Sequence, residues 1–242
     1  MRLTLFALTL LASLGTTAHA ASLQSILANG GSVTEGDVIF KDFVLTDQRG
    51  GGGRFPEDDM PTVDEILVTT TSTANSVTLT FDFVPEVLVS GLTAADNFTM
   101  FSFTLDLRTN IASTSTRTFQ NFGVSTTSSG FAATGSGSVE VSSFALPRIV
   151  TSITTIDIST PNPTVTSAST SLNGESSLGL RSFIDGVSKS STSSASLNQF
   201  SLTLTLDGTS PTIDVVPLPA GLPLMLSAFA IGAFALRRKK TT

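Results

Sequence analysis

The chain has 242 residues, with 13 basic and 19 acidic side chains, one histidine and no cysteine. Without cysteine it cannot use disulfides in an oxidising compartment, so its stability must come from core burial. A net charge of −6 argues against nucleic acid or anionic lipid as a partner, since either would be repelled.

In chain order, residues 1–20 form a secretory signal peptide: Arg2 is the positive n-region, 3–14 the apolar core, and Ala18-His19-Ala20 the small-residue cleavage site. Cutting after Ala20 removes the only histidine. The mature chain then has neither histidine nor cysteine, which excludes Ser-His-Asp triads, Cys-His pairs and histidine zinc sites. Ser22-Leu23-Gln24-Ser25-Ile26-Leu27 predicts a short helix capped by Ser22 and ended by Asn29-Gly30-Gly31, with Leu23, Ile26 and Leu27 on one face. Gly36-Asp37-Val38-Ile39-Phe40-Lys41-Asp42-Phe43 predicts a turn leading into a strand that pins both phenylalanines into a core.

Arg49-Gly50-Gly51-Gly52-Gly53-Arg54 is expected to be poorly ordered, because successive glycines lose the most entropy on ordering. Beyond it lies the densest acidic group, Glu57-Asp58-Asp59, with Asp64 and Glu65 nearby. Oxygen ligands on a flexible loop are candidates for calcium, but the spacing matches no EF-hand, and Pro56 and Pro61 favour a plain solvated loop.

The rest is strand-rich. Val77, Leu79, Phe81 and Phe83 alternate with polar residues, as do Phe101, Phe103, Leu105 and Leu107, and Phe200, Leu202, Leu204 and Leu206. Period two marks strands with one buried and one wet face. Further strands are expected at 66–70, 87–90, 138–144, 149–158 and 182–187. The run 188–196, nearly all Ser and Thr, reads as an exposed, poorly ordered hairpin tip. Asn97-Phe98-Thr99 fits a glycosylation triplet but reads as part of a strand. Many short antiparallel strands with no helical middle predict a mainly β chain, an antiparallel β-sandwich over 21–206 with 207–215 as linker.

No Gly-x-Ser-x-Gly elbow or Walker-type loop is present, and the only lysines before the tail are Lys41 and Lys189. Paired carboxylates remain as a catalytic device, and nothing raises one pKa selectively. With no Tyr or Trp, the aromatic platforms available to a sugar reduce to Phe.

The C-terminal stretch is the most informative. Val216-Pro217-Leu218-Pro219-Ala220 opens a run that is uncharged from Pro217 to Leu236 and ends in Arg237-Arg238-Lys239-Lys240. Twenty residues at helical rise span about 30 Å, the thickness of a hydrocarbon core. The basic cluster favours the cytoplasmic side, which leaves everything before Val216 outside. Pro217 and Pro219 hold the chain extended at the span entrance, as a protease requires. These three parts resemble the C-terminal sorting tail of PEP-CTERM proteins, in the variant whose motif reads VPLPA. The short helix, Gly-Gly turn and GDxxFxxF opening also look like the start of many ectodomains of that family.

The resemblance implies processing near the motif by an exosortase-type membrane protease, and association with exopolysaccharide. Without Arg2 and the four tail charges, the exported part carries 8 basic and 19 acidic groups, about −11. The expected protein is a non-enzymatic surface or extracellular-matrix component with no cofactor, anchored in the inner membrane until processed. The alternative is a calcium- or glycan-binding adhesin using the acidic loop 49–64.

Overall fold

The computed structural model describes residues 19–47, 61–90, 98–127, 130–135, 137–146, 154–159 and 167–208. The chain divides into two compact units, Met1–Ser210 and Pro211–Thr242, and all the described residues belong to the first. In order the elements are β1 (His19–Ser22), α1 (Leu23–Ala28), β2 (Ser32–Glu35), β3 (Val38–Asp47), β4 (Ile66–Ser72), β5 (Ser76–Ser90) and β6 (Thr99–Ile111). There follow β7 (Phe119–Ser125), β8 (Phe131–Thr134), β9 (Ser138–Leu146), β10 (Thr154–Ser159), β11 (Ser167–Glu175), β12 (Ser177–Ser188) and β13 (Ser194–Leu206).

These strands make two antiparallel sheets. One has the order β1-β4-β5-β13-β7-β11, with β8 pairing the first residues of β13; the other has the order β10-β9-β12-β6-β3-β2. The alternating phenylalanines meet between them. Phe81 stacks on Phe200 with ring centroids 5.1 Å apart, and Phe83 meets Phe103 of the opposite sheet edge-on at 5.7 Å. Offset and edge-on rings suit the aromatic quadrupole, so a core rich in Phe packs without polar handles to satisfy. The sandwich expected from the period-two pattern is what the chain forms.

Local chemistry explains the N-terminal elements. Ser22 Oγ accepts from the Ser25 amide at 3.2 Å, and the Gly31 amide donates to the Ile26 carbonyl at 2.8 Å, so both ends of α1 are capped. Leu23 and Ile26 are buried, but Leu27, expected on the same face, is 40% exposed: so short a helix presents only one narrow stripe to the core. The two-residue turn Gly36-Asp37 joins β2 to β3, with Gly36 at φ +61 as a primed hairpin turn requires.

Phe40 and Phe43 are three residues apart, which regular alternation would put on opposite faces. Both are nevertheless buried, because β3 carries a bulge. The register steps from Lys41 against Arg108 to Val44 against Asp106, with Asp42 at φ +56 as the extra residue. The bulge turns Phe43 inward and re-aims Asp42 outward.

Several expected boundaries move. The strands expected around 77–83 and at 87–90 are one continuous β5, and β12 is longer than 182–187 at both ends. Within 149–158 the described strand is Thr154–Ser159. The run 188–196 is not simply an exposed tip: Ser188, Ser193 and Ser196 are buried, and Ser194 already opens β13. Ser188 Oγ meets Ser193 Oγ at 2.8 Å, and Ser193 Oγ also accepts from the Ser190 amide at 2.9 Å. Serine hydroxyls thus replace the missing ladder where the chain crosses from one sheet to the other. Lys189, on this turn, is exposed.

Among the described residues, polar side chains of the Glu35 and Arg117 clusters join the sheets. Glu35 of β2 accepts from Thr70 Oγ1 at 2.9 Å and from Ser72 Oγ, both on β4. Arg117, 4% exposed, pairs with Asp37 at 3.4 Å and donates to the carbonyls of Ala74 at 2.8 Å and Asp207 at 3.2 Å. Asp207 Oδ1 in turn accepts from the amide and hydroxyl of Thr118, both at 2.7 Å. Asp207 was expected to begin a linker; these contacts make it part of the domain.

Candidate functional site

The outer face of the second sheet carries a groove of about 500 Å³ lined by Asp42, Val44, Asp106, Leu107, Arg108, Leu146, Gly179, Leu180 and Arg181. The register shows how it is built. Leu146 of β9, Gly179 of β12, Arg108 of β6 and Lys41 of β3 form one row across the sheet. Phe144, Arg181, Asp106 and Val44 form the next. The β3 bulge falls between these rows and sets Asp42 at the groove's edge. Gly179 contributes no side chain; a Cβ there would lie 3.5 Å from Leu146 Cβ, in the space now open.

The groove has charged and apolar parts. Arg181 donates to Asp106 through both Nε, at 2.7 Å, and Nη2, at 3.0 Å, a bidentate fork that raises the guanidinium's pKa further and fixes its plane. Arg108 is held loosely, 3.9 Å from Asp42, with 72% of its side chain exposed. Val44 and Leu146 are exposed hydrophobics of the same surface. Beside Arg181, Phe144 and Phe183 pack edge-on at 5.6 Å. They are half-buried on the outer face, so part of the Phe content is spent outside the core.

Further along this face Asp185 lies opposite Glu140 in the register. Burial raises the Asp185 pKa; the Ser102 hydroxyl opposes that shift and the Glu140 charge adds to it. The native domain therefore holds this proton more tightly than the unfolded chain does. Its contribution is present below the ordinary carboxylate value and is lost as pH rises through the raised one. Asp185→Asn should accordingly be more stable than the parent at about pH 7 and little different at about pH 3, as measured by urea unfolding at each pH.

The predicted site residues fall differently. Ala18, Glu57, Asp58, Asp59, Val216, Pro217, Leu218, Pro219, Ala220, Arg237, Arg238, Lys239 and Lys240 lie outside the described residues. Ala20 is in β1, paired with Thr69, so cutting after it would leave Ala21 and Ser22 on β4. Of the nearby acids, Asp64 accepts from Thr62 Oγ1 at 2.6 Å, which lowers its pKa, and Glu65 accepts from the Thr62 amide at 2.8 Å. Both are used in a local turn. Among the described residues no three His, Cys, Asp or Glu side chains form a metal-holding group, and no helix is long and apolar enough to cross a membrane. None of the groove residues was singled out from the sequence as a site. The one signal was the interruption of alternation at Phe40 and Phe43, which marks a bulge.

No family model matches the chain, and no curated protein matches it. Among solved structures, one described as TmCBM61 in complex with beta-1,4-galactotriose is similar at a TM-score of 0.29 and 5% identity, over 66% of this chain and 86% of that one. A likeness at that level carries no inference for this chain.

Proposed function

We propose that this chain is an exported, non-enzymatic surface or matrix protein, carried by a C-terminal sorting signal that an exosortase-type protease processes. The observation that carries this reading is the tail: Val216-Pro217-Leu218-Pro219-Ala220, an uncharged run to Leu236, then Arg237-Arg238-Lys239-Lys240. The segment holds the protein in the inner membrane with the sandwich outside the cytoplasm, and cutting near the motif passes the sandwich to the surface or medium. Association with exopolysaccharide belongs to the same reading.

Intact mass of the protein from native envelope and culture medium tests it, beside a Pro217→Ala, Pro219→Ala double variant. The native form should lack its span and basic tail, and the variant should keep them in the membrane. If both retain residues through Thr242, the tail is an anchor alone and the reading fails. A second reading, a glycan-binding adhesin, is favoured by the groove on the outer sheet face. The loop 49–64, expected to form the site for calcium or a glycan alike, is outside the described residues apart from 61–64.

A further inference from the structure

We propose that the groove across β3, β6, β12 and β9 is a binding site for a neutral saccharide chain. This deepens the glycan-binding reading and rests on it; it is independent of how the tail is processed.

Charge selects the ligand class. The lining holds two carboxylates, Asp42 and Asp106, and two guanidiniums, Arg108 and Arg181, so it balances locally within a chain of net charge −6. A polyanion would be repelled by the rest of the acidic domain, and a cation would meet both arginines. An uncharged ligand rich in hydroxyls fits better, since each hydroxyl is both donor and acceptor and can use both kinds of lining group. The Arg181–Asp106 fork is fixed in plane by its two hydrogen bonds, and its guanidinium carries more N–H donors than the two that Asp106 takes. Arg108, loosely held, is able to swing onto a bound ring.

The apolar parts supply the other half of sugar recognition. Gly179 leaves the floor open between Leu146 and Arg108, and Val44 and Leu146 offer apolar surface to the C–H face of a ring. The volume, about 500 Å³, lies in the range of roughly 300–1,000 Å³ typical of small-ligand sites. An extended peptide is disfavoured by position. A peptide added as a strand needs a free sheet edge, whereas β6 and β12 lie at the centre of their sheet with both neighbours paired.

The test uses the full chain in a detergent without a sugar headgroup, titrated with cellotriose, mannotriose, galactotriose and trigalacturonate. As the protein has no Trp or Tyr to report binding by fluorescence, calorimetry or ligand-observed NMR is the readout. At least one neutral trimer should bind saturably, more tightly than trigalacturonate. Gly179→Val, which fills the floor, and Arg108→Ala should each weaken it by about tenfold or more. Lys189→Ala, on the exposed turn, should leave the affinity unchanged, and melting temperature would confirm that each variant is folded. If a neutral trimer binds but both groove variants keep parental affinity, the groove is not the site and only the present inference fails. If no trimer binds up to about 10 mM, the glycan-binding reading falls with it. Tighter binding of trigalacturonate would overturn the charge argument.

Discussion

Arg117→Ala is expected to destabilise the domain by roughly 3–5 kcal/mol, the usual range when one partner of a buried ion pair is removed. The geometry explains why so much rests on one side chain. Arg117 and Asp37 are almost wholly buried, and the guanidinium ties together four separate chain segments. Asp37 belongs to the β2–β3 turn, Ala74 to the β4–β5 turn, Arg117 to the β6–β7 connection, and Asp207 follows β13. Among the described residues, removing the guanidinium leaves the Asp37 carboxylate with the Ser115 hydroxyl alone, at 2.6 Å, and takes a donor from the Ala74 and Asp207 carbonyls.

Lysine should recover little of the loss, because a single ammonium lacks the planar fork needed to reach the three groups. Urea unfolding followed by far-UV circular dichroism gives the number. Arg181→Ala is the internal comparison: its partner is also aspartate, at a shorter distance, but the pair is exposed and should be worth about 1 kcal/mol or less. Equal losses at the two positions would show that burial does not set the strength of the Arg117 clamp.

Nothing in the sequence around Arg117 distinguishes it from the other arginines; it sits in Ser-Thr-Ser-Thr-Arg-Thr, a stretch that reads as loop. Its role depends on turns that are distant in sequence and meet only when two sheets close, so local pattern cannot reveal it. The strands most legible are those with long alternating apolar runs, 77–83 in β5, 101–107 in β6 and 200–206 in β13, and β3, β4, β9, β10 and β12 also fall where strands are expected. β7 was missed because Phe119, Phe122 and Val124 are all buried while the first two are three apart, and the register of β7 against both neighbours shifts there. β11 was missed for the opposite reason: Ser-Ala-Ser-Thr-Ser-Leu-Asn-Gly-Glu has almost no apolar face, and it pairs at the sheet's edge. The groove follows from the same limit. It needs a bulge in β3, a glycine in β12 and an ion pair between β6 and β12, and these come together through register alone.

Gly186→Ala should be the second large effect. Gly186 faces the core from β12 and pairs directly with Phe101 of β6, whose ring folds over the strand where a side chain would otherwise stand. A Cβ at Gly186 would fall well inside the contact distance of the Phe101 ring, a position no real carbon occupies. The glycine needs no unusual backbone angle here; its use is the space it leaves. The aromatic ring in turn covers the backbone that the glycine leaves without a side chain, a cross-strand packing that stabilises both strands. Phe101 is 2% exposed and tilts against Phe103, so the ring has to displace packed neighbours to make room. Overpacking of this kind typically costs about 1–3 kcal/mol.

The double variant separates this cause from a general loss of strand order. Phe101→Leu removes the ring and should itself destabilise, but in that background Gly186→Ala should cost much less, because the clash has gone. A coupling of roughly 1 kcal/mol or more between the two substitutions, from urea unfolding of the four proteins, is the expected result. Additive losses would mean that the ring and the glycine contribute independently.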